Sequence, residues 1–250
     1  MLVRLALLAL TALLVAGCGS SSSSSADDDH PAFAGVQART KAAGPARFRM
    51  LISINAGGTR ITAEENGTTS FGSRQAHLYK QLPGGQFPQE LVVIGPYTYT
   101  NANVQAALAD PSIPPWTKLD TRRLTPKQRH DQPDELAHVQ APAYLAAGVS
   151  GAAYEGKETD GTFRFSGRVD PKRLAGSVPP AIVTALANDY PGKTFPATFW
   201  LDDQGRLRRV LVRYATPRGT KLTVDTTYSD YGTQVDLTLP AASKIKDISP

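Results

Sequence analysis

The chain has 250 residues, 41% of them hydrophobic and 20% charged, with a formal net charge of +5. This is the composition of a globular protein long enough to bury a real core, and it excludes both a disordered chain and a membrane-embedded bundle. The positive excess is spread along the chain without a dense basic run, so nucleic acid is not an expected partner; such a balance weakly favours an anionic membrane surface.

Met1-Leu2-Val3-Arg4 carries one positive charge, and an apolar run from Leu5 to Ala16 follows, broken only by Thr11. A charged start, a short apolar run and small residues at its end describe an export signal. The run is shorter than the roughly 20 apolar residues that a bilayer-spanning helix needs. It closes on Val15-Ala16-Gly17-Cys18, which holds the only cysteine of the chain. That tetrapeptide resembles a bacterial lipobox. The resemblance implies a diacylglyceryl anchor on the Cys18 sulfur, removal of residues 1–17, and a place on the extracytoplasmic side of the cell membrane. With one cysteine there is no disulfide, so stability must come from the core.

Residues 18–30 read as a tether. Six serines in succession and three aspartates cannot bury apolar surface. Residues 31–250 read as a single domain. Asp29 and Pro31 suit a helix start, Phe33, Val36 and Ala43 share a face, and Gly44-Pro45 ends the helix. From Arg47 the period becomes two: Phe48, Met50, Ile52 and Ile54 alternate with polar or outward residues. Short strands over 60–65, 68–71 and 75–80 continue a meander with Gly-containing turns, and a Pro/Gly loop spans 81–89. Residues 90–94 form a more continuously apolar strand, turned by Gly95-Pro96 into Tyr97-Thr98-Tyr99.

The middle is less regular. A short helix is expected over 104–109, an extended stretch over 110–115, a strand over 116–119 and a polar surface loop over 121–132. Leu136 and Val139 then open a helical pattern that Pro142 kinks or divides before Gly148. Strands follow over 152–159 and 162–169. Asp170-Pro171 and Pro179-Pro180 lead short helices, the second with Ile182, Val183, Leu186 and Tyr190 on one side. Residues 195–201 and 207–214 form a hairpin about Asp202-Asp203-Gln204-Gly205, with strands over 221–230 and 234–239 to finish. Roughly ten strands with a few helices, and no strand–helix alternation, give an α+β class: a large curved antiparallel sheet with short helices on one side and a solvated opposite face.

Chemistry is sparse. Residues 187–194 satisfy a relaxed phosphate-loop pattern, but they follow a helix and enter a strand, and Pro191 removes a donor; they read as a helix-terminating turn. His30, His77, His130 and His138 stand at no metal-ligand spacing and read as surface or turn residues. Glu64-Glu65 and Asp202-Asp203 read as strand-end and turn carboxylates. Arg206, Arg208, Arg209, Arg213 and Arg218 crowd the late hairpin as the polar face of a strand pair, or as contacts for anionic headgroups. No nucleophile–base set is present, so no enzyme, metal or cofactor is expected.

The lipobox with its Ser-rich tether, the stretch from Phe199-Trp200-Leu201-Asp202 to Arg208-Arg209-Val210, and Tyr228-Ser229-Asp230-Tyr231-Gly232 with Val235-Asp236-Leu237 and Leu239-Pro240 together resemble the actinobacterial LppX/LprG lipoprotein family. That family is related in fold to the LolA and LolB lipoprotein carriers. The resemblance implies a half-barrel whose helices plug the concave side, and an apolar cavity that holds acyl chains of an envelope lipid. The candidate lining is Phe48, Met50, Ile52, Val92, Ile94, Leu145, Ile182, Val183 and Leu186. The alternative is an envelope interaction or sensor module of the same fold, with a filled core and a protein partner in place of lipid.

Overall fold

The computed structural model describes residues 30–81, 88–131, 134–174, 176, 178–180, 183–184, 194–215 and 219–250. Cys18, Ile182, Leu186, Tyr190, Arg218 and nearly all of the phosphate-loop-like stretch lie outside the described residues.

Twelve strands make one open sheet. In chain order they are β1 (Ala46–Ala56), β2 (Thr59–Thr69), β3 (Gln75–Gln81), β4 (Gln89–Ile94), β5 (Tyr97–Thr100), β6 (Trp116–Asp120), β7 (Val149–Lys157), β8 (Phe163–Val169), β9 (Phe195–Leu201), β10 (Leu207–Ala215), β11 (Lys221–Ser229) and β12 (Ile245–Asp247). Their spatial order is β12-β6-β5-β4-β3-β2-β1-β11-β10-β9-β8-β7. Every pairing is antiparallel except that of β12 with β6. Among the described residues the fully described α-helices are α1 (Val36–Ala42), α2 (Val104–Ala109), α3 (Pro126–Asp131) and α4 (Glu135–Tyr144). This is the α+β class expected from the sequence.

Helix α4 packs against both β2 and β10, with β1 and β11 between them, so it lies across the middle of the curved sheet. Alternation does the rest: Phe48 and Met50 on β1, Leu78 on β3, Phe199 on β9, Val210 and Val212 on β10 and Tyr228 on β11 all turn into this concave side and are buried. Helix α1 packs on β10 and α4, and Phe33 stacks on Phe165 and Phe199 at 5.4 and 5.2 Å.

Local chemistry places α4 firmly. The Asp134 side chain accepts from Ala137 N at 3.1 Å as a cap, and it pairs with Arg74 of the β2–β3 turn at 3.1 Å. At the other end Pro142 lies in the last turn and a 3-10 turn (Leu145–Gly148) follows, as the proline pattern predicted. The Tyr144 hydroxyl donates to Phe71 O at 3.2 Å.

Several expectations are corrected. Helix α1 begins at Val36 rather than near Pro31, because Gly35 turns the chain at φ 81° just before it. The strands expected over 60–65 and 68–71 are one strand, β2. Gly67 sits inside it at φ 154°, bonded into the ladders on both sides, where a Cβ would come within 2.1 Å of His77 O. The loop expected over 121–132 holds α3, started by a reciprocal cap: Thr125 N donates to Gln128 Oε1 at 2.9 Å and Gln128 N to Thr125 Oγ1 at 3.3 Å. The strand expected over 234–239 does not form. The chain leaves β11 where Gly232 N donates to Pro45 O at 2.8 Å, runs without ladder pairing and docks as β12 on the far edge strand β6. Burial, with the Glu90 and Asp236 carboxylates, raises the Tyr79 phenol of β3, so the strap that carries Asp236 crosses the convex face that was expected to be solvated throughout.

Candidate functional site

The concave face changes character along the strands. Four successive inward registers on β1 show it. At Phe48 the row Tyr228–Phe48–Gly67–Leu78–Leu91 spans β11 to β4, and its side chains are fully covered by α1, α4 and the turn after α4. One step on, at Met50, the row Thr226–Met50–Glu65–Lys80 is also buried but turns polar. Beyond it come two apolar rows, Val212–Val224–Ile52–Ala63 and Tyr214–Leu222–Ile54–Ile61. Cover fades here: Ile52, Leu222 and Tyr214 are half-buried, Ile54 is 36% exposed and Ile61 47% exposed. Val183 is half-buried and packs against the hydrophobic core. The result is an apolar shelf, open toward the β1–β2 hairpin, that ends inward on a band of buried charge.

That band is built from elements far apart in sequence. Lys80 Nζ stands 3.3 Å from Glu65 Oε1 and also donates to Glu135 of α4. His138, one turn along α4, places Nε2 3.6 Å from the same Glu65 oxygen. Glu65 and Lys80 are 5% and 8% exposed. Burial alone would depress the Lys80 ammonium, but the Glu65 and Glu135 carboxylates outweigh it and hold it above the ordinary lysine value. Glu65 Oε2 and Thr226 Oγ1 are buried without a hydrogen-bond partner.

The candidate lining residues divide. Phe48, Met50 and Leu145 lie in the closed, filled part of the concave side, Ile52 borders the open shelf, and Val183 is half-buried against the core. Val92 and Ile94 alternate with Leu91 and Val93 on β4, so they stand on the convex face, apart from these inward candidates. Val92 is buried there all the same. A continuous apolar run carries no alternation from which to read a face. Ile182 and Leu186 lie outside the described residues.

Sequence reading missed the charged band. Glu65 and Glu64 point to opposite faces: Glu65 inward to Lys80, Glu64 outward to Arg49 at 2.7 Å. His138 belongs to α4 beside Glu65, and His77 lies mid-strand with Nε2 2.7 Å from Glu90, so neither is a surface or turn residue. The sequence did carry a signal for Lys80, a lone cation at an inward position of the alternating Ala76, Leu78, Lys80 run. The late arginines are tied into pairs, Arg209 with Asp225 at 2.6 Å and Arg206 with Asp202 at 2.7 Å. Among the described residues no helix is long and apolar enough to cross a membrane.

No family model matches the chain, and no curated protein matches it. Among solved structures it is similar to an uncharacterised conserved protein from Thermus thermophilus, at 10% identity over 85% of this chain and 96% of that one, with a TM-score of 0.38. A LolA-superfamily protein from Nitrosomonas europaea is similar at 11% identity over 82% and 94%, TM-score 0.35. A chain of the Pseudomonas aeruginosa MucA/MucB complex is similar at 15% identity over 82% and 59%, TM-score 0.33. At such low TM-scores these likenesses carry no argument; the architecture rests on the strand order and registers given above.

Proposed function

We propose that this protein is an exported lipoprotein, anchored through Cys18 on the outer side of the cell membrane, that carries an acyl chain of an envelope lipid on the concave face of its sheet. The observation that carries the reading is the open apolar shelf of Ile52, Ile54, Ile61, Leu222 and Tyr214. An acyl chain laid on such a surface gains about 0.8 kcal/mol per buried CH₂. The lipobox, the tether and the LppX/LprG-like motifs support the same reading, because a short tether keeps the shelf near a membrane that supplies the chain. Native mass spectrometry of the detergent-purified protein tests it: mass increments of acylated lipid are expected, released by Ile54→Ser/Ile61→Ser. A species that stays ligand-free after incubation with envelope lipid extract overturns it.

A second reading, an interaction module of the same fold, is favoured by one observation: the part of the concave side beneath α4 is filled, with Met50 and Leu145 at 1% and 0% exposure. Capture of one specific envelope protein, with no lipid co-purifying, is the outcome it requires.

A further inference from the structure

The convex face carries a separate concavity. A groove of about 1050 Å³ runs over the outer side of β9, β10, β11 and β1, between the β7–β8 turn and the β9–β10 turn. Its floor is a register row of outward side chains, Trp200, Arg209, Thr227 and Arg49, on four neighbouring strands. The Arg209 guanidinium holds Asp225 through two hydrogen bonds of 2.8 and 2.6 Å and covers one side of the Trp200 indole at 4.6 Å. Arg49 makes a matching fork to Glu64 at 2.7 and 3.1 Å.

Two features decide what such a groove suits. The first is charge: four cationic side chains and five carboxylates line it. With the floor arginines already engaged, it offers neither the net positive field that draws a phosphate polymer or an anionic headgroup nor a free carboxylate array for a cation. The second is order. Asp202 is tied to Arg206 and Asp160 to Thr162 on the two walls, so donors and acceptors are fixed in place and little entropy is lost when a ligand binds them. An apolar chain would strip water from these pairs without replacing it.

From this we infer that the convex groove is a binding site for an uncharged oligosaccharide. A sugar ring has C–H faces that pack on an indole and vicinal hydroxyls that pair with carboxylate and guanidinium groups two at a time. The groove lies on the opposite face from the apolar shelf and does not depend on the carrier reading. The sugar can belong to a free glycan or to the head of a glycolipid.

Titration of the full-length protein in detergent with short neutral oligosaccharides derived from mannan, arabinan and starch tests the site, read by calorimetry and by tryptophan fluorescence in a Trp116→Phe background. Saturation by at least one of them near or below about 1 mM is expected. Trp200→Ala and the milder Trp200→Phe should weaken it, the former by about tenfold or more, and Ile54→Ser/Ile61→Ser should leave it unchanged. Vesicles of phosphatidylcholine with and without a digalactosyl lipid form the second arm; binding only to the sugar-bearing vesicles assigns a glycolipid head, and binding to free sugar alone assigns a glycan. The inference is overturned if none of these probes binds, if oligogalacturonate binds more tightly than every neutral probe, or if Trp200→Ala binds as the parent does.

Discussion

Lys80 Nζ stands 3.3 Å from Glu65 Oε1, directly across the β2–β3 ladder and beneath α4. The pair lies where the filled part of the concave side meets the open shelf, and Glu135 of α4 closes it from above. Removing the cation leaves two carboxylates facing each other in the interior. Lys80→Ala is therefore expected to destabilise the domain by about 3–5 kcal/mol in denaturant unfolding, whereas Lys80→Met combined with Glu65→Leu and Glu135→Gln should cost much less, because neither carboxylate that faced the lysine is left charged and unpaired. Equal losses in the two variants would refute an electrostatic origin.

The same lysine fixes a pH dependence. Its folded-state pKa lies above the ordinary value of 10.5, so its contribution is complete below that value and is lost as pH rises through the raised one. The stability gap between the parent and Lys80→Met should be constant through neutral pH and shrink only in strongly alkaline solution. Unfolding midpoints measured from neutral pH upward check this; a gap that closes below the ordinary lysine range would contradict the sign.

Gly67 is expected to tolerate no side chain. At φ 154° within β2, an added Cβ would lie 2.1 Å from His77 O and 2.7 Å from Leu78 Cα, both backbone atoms that cannot turn aside. Gly67→Ala should lower stability by roughly 2 kcal/mol or more through strain in the β2–β3 ladder. Hydrogen exchange localised to Gln75–Gln81 would report the opened ladder; protection equal to the parent's would count against it.

Ile54 and Ile61 face each other in register and are 36% and 47% exposed. Ile54→Ser/Ile61→Ser should lower stability by about 1–3 kcal/mol, since part of each side chain is buried, and release acylated ligand from a domain that stays folded. Loss of lipid together with a collapsed unfolding midpoint would instead assign the shelf a structural role.

Cys18→Ala should abolish acylation and membrane attachment while the folded domain still takes up ligand. Fractionation with metabolic acyl-chain labelling reads the first effect, and native mass spectrometry the second. A Cys18→Ala protein that remains membrane-bound and labelled refutes the anchor.

Two of the three features that carry the family resemblance meet in space. The Tyr231 hydroxyl donates to Leu207 O, Arg206 lies 5.1 Å over the Tyr231 ring, and Arg39 of α1 donates to Gly205 O at 3.1 Å. They are architectural residues that dock α1 and the strap on one hairpin, which is why they speak of fold more than of ligand.

What the sequence alone determined is local. Alternation gave β1 and the β9–β10 hairpin, Asp202 with Gly205 gave its turn, and Pro142 gave the end of α4, because period two, turn chemistry and a missing donor act within a few residues. The Thr125–Gln128 cap of α3 is equally local, although that stretch read as a polar loop. The tertiary structure alone decided the rest. Asn66-Gly67 reads as a turn but is held extended by ladders on both sides. The stretch over 234–239 looks like a strand but finds no free edge until β6. The face of Val92 follows from its partners. Glu65, Lys80, Glu135 and His138 become one buried cluster only when the sheet curves around α4, since which charges are buried together depends on contacts across many residues of intervening chain, not on spacing along it.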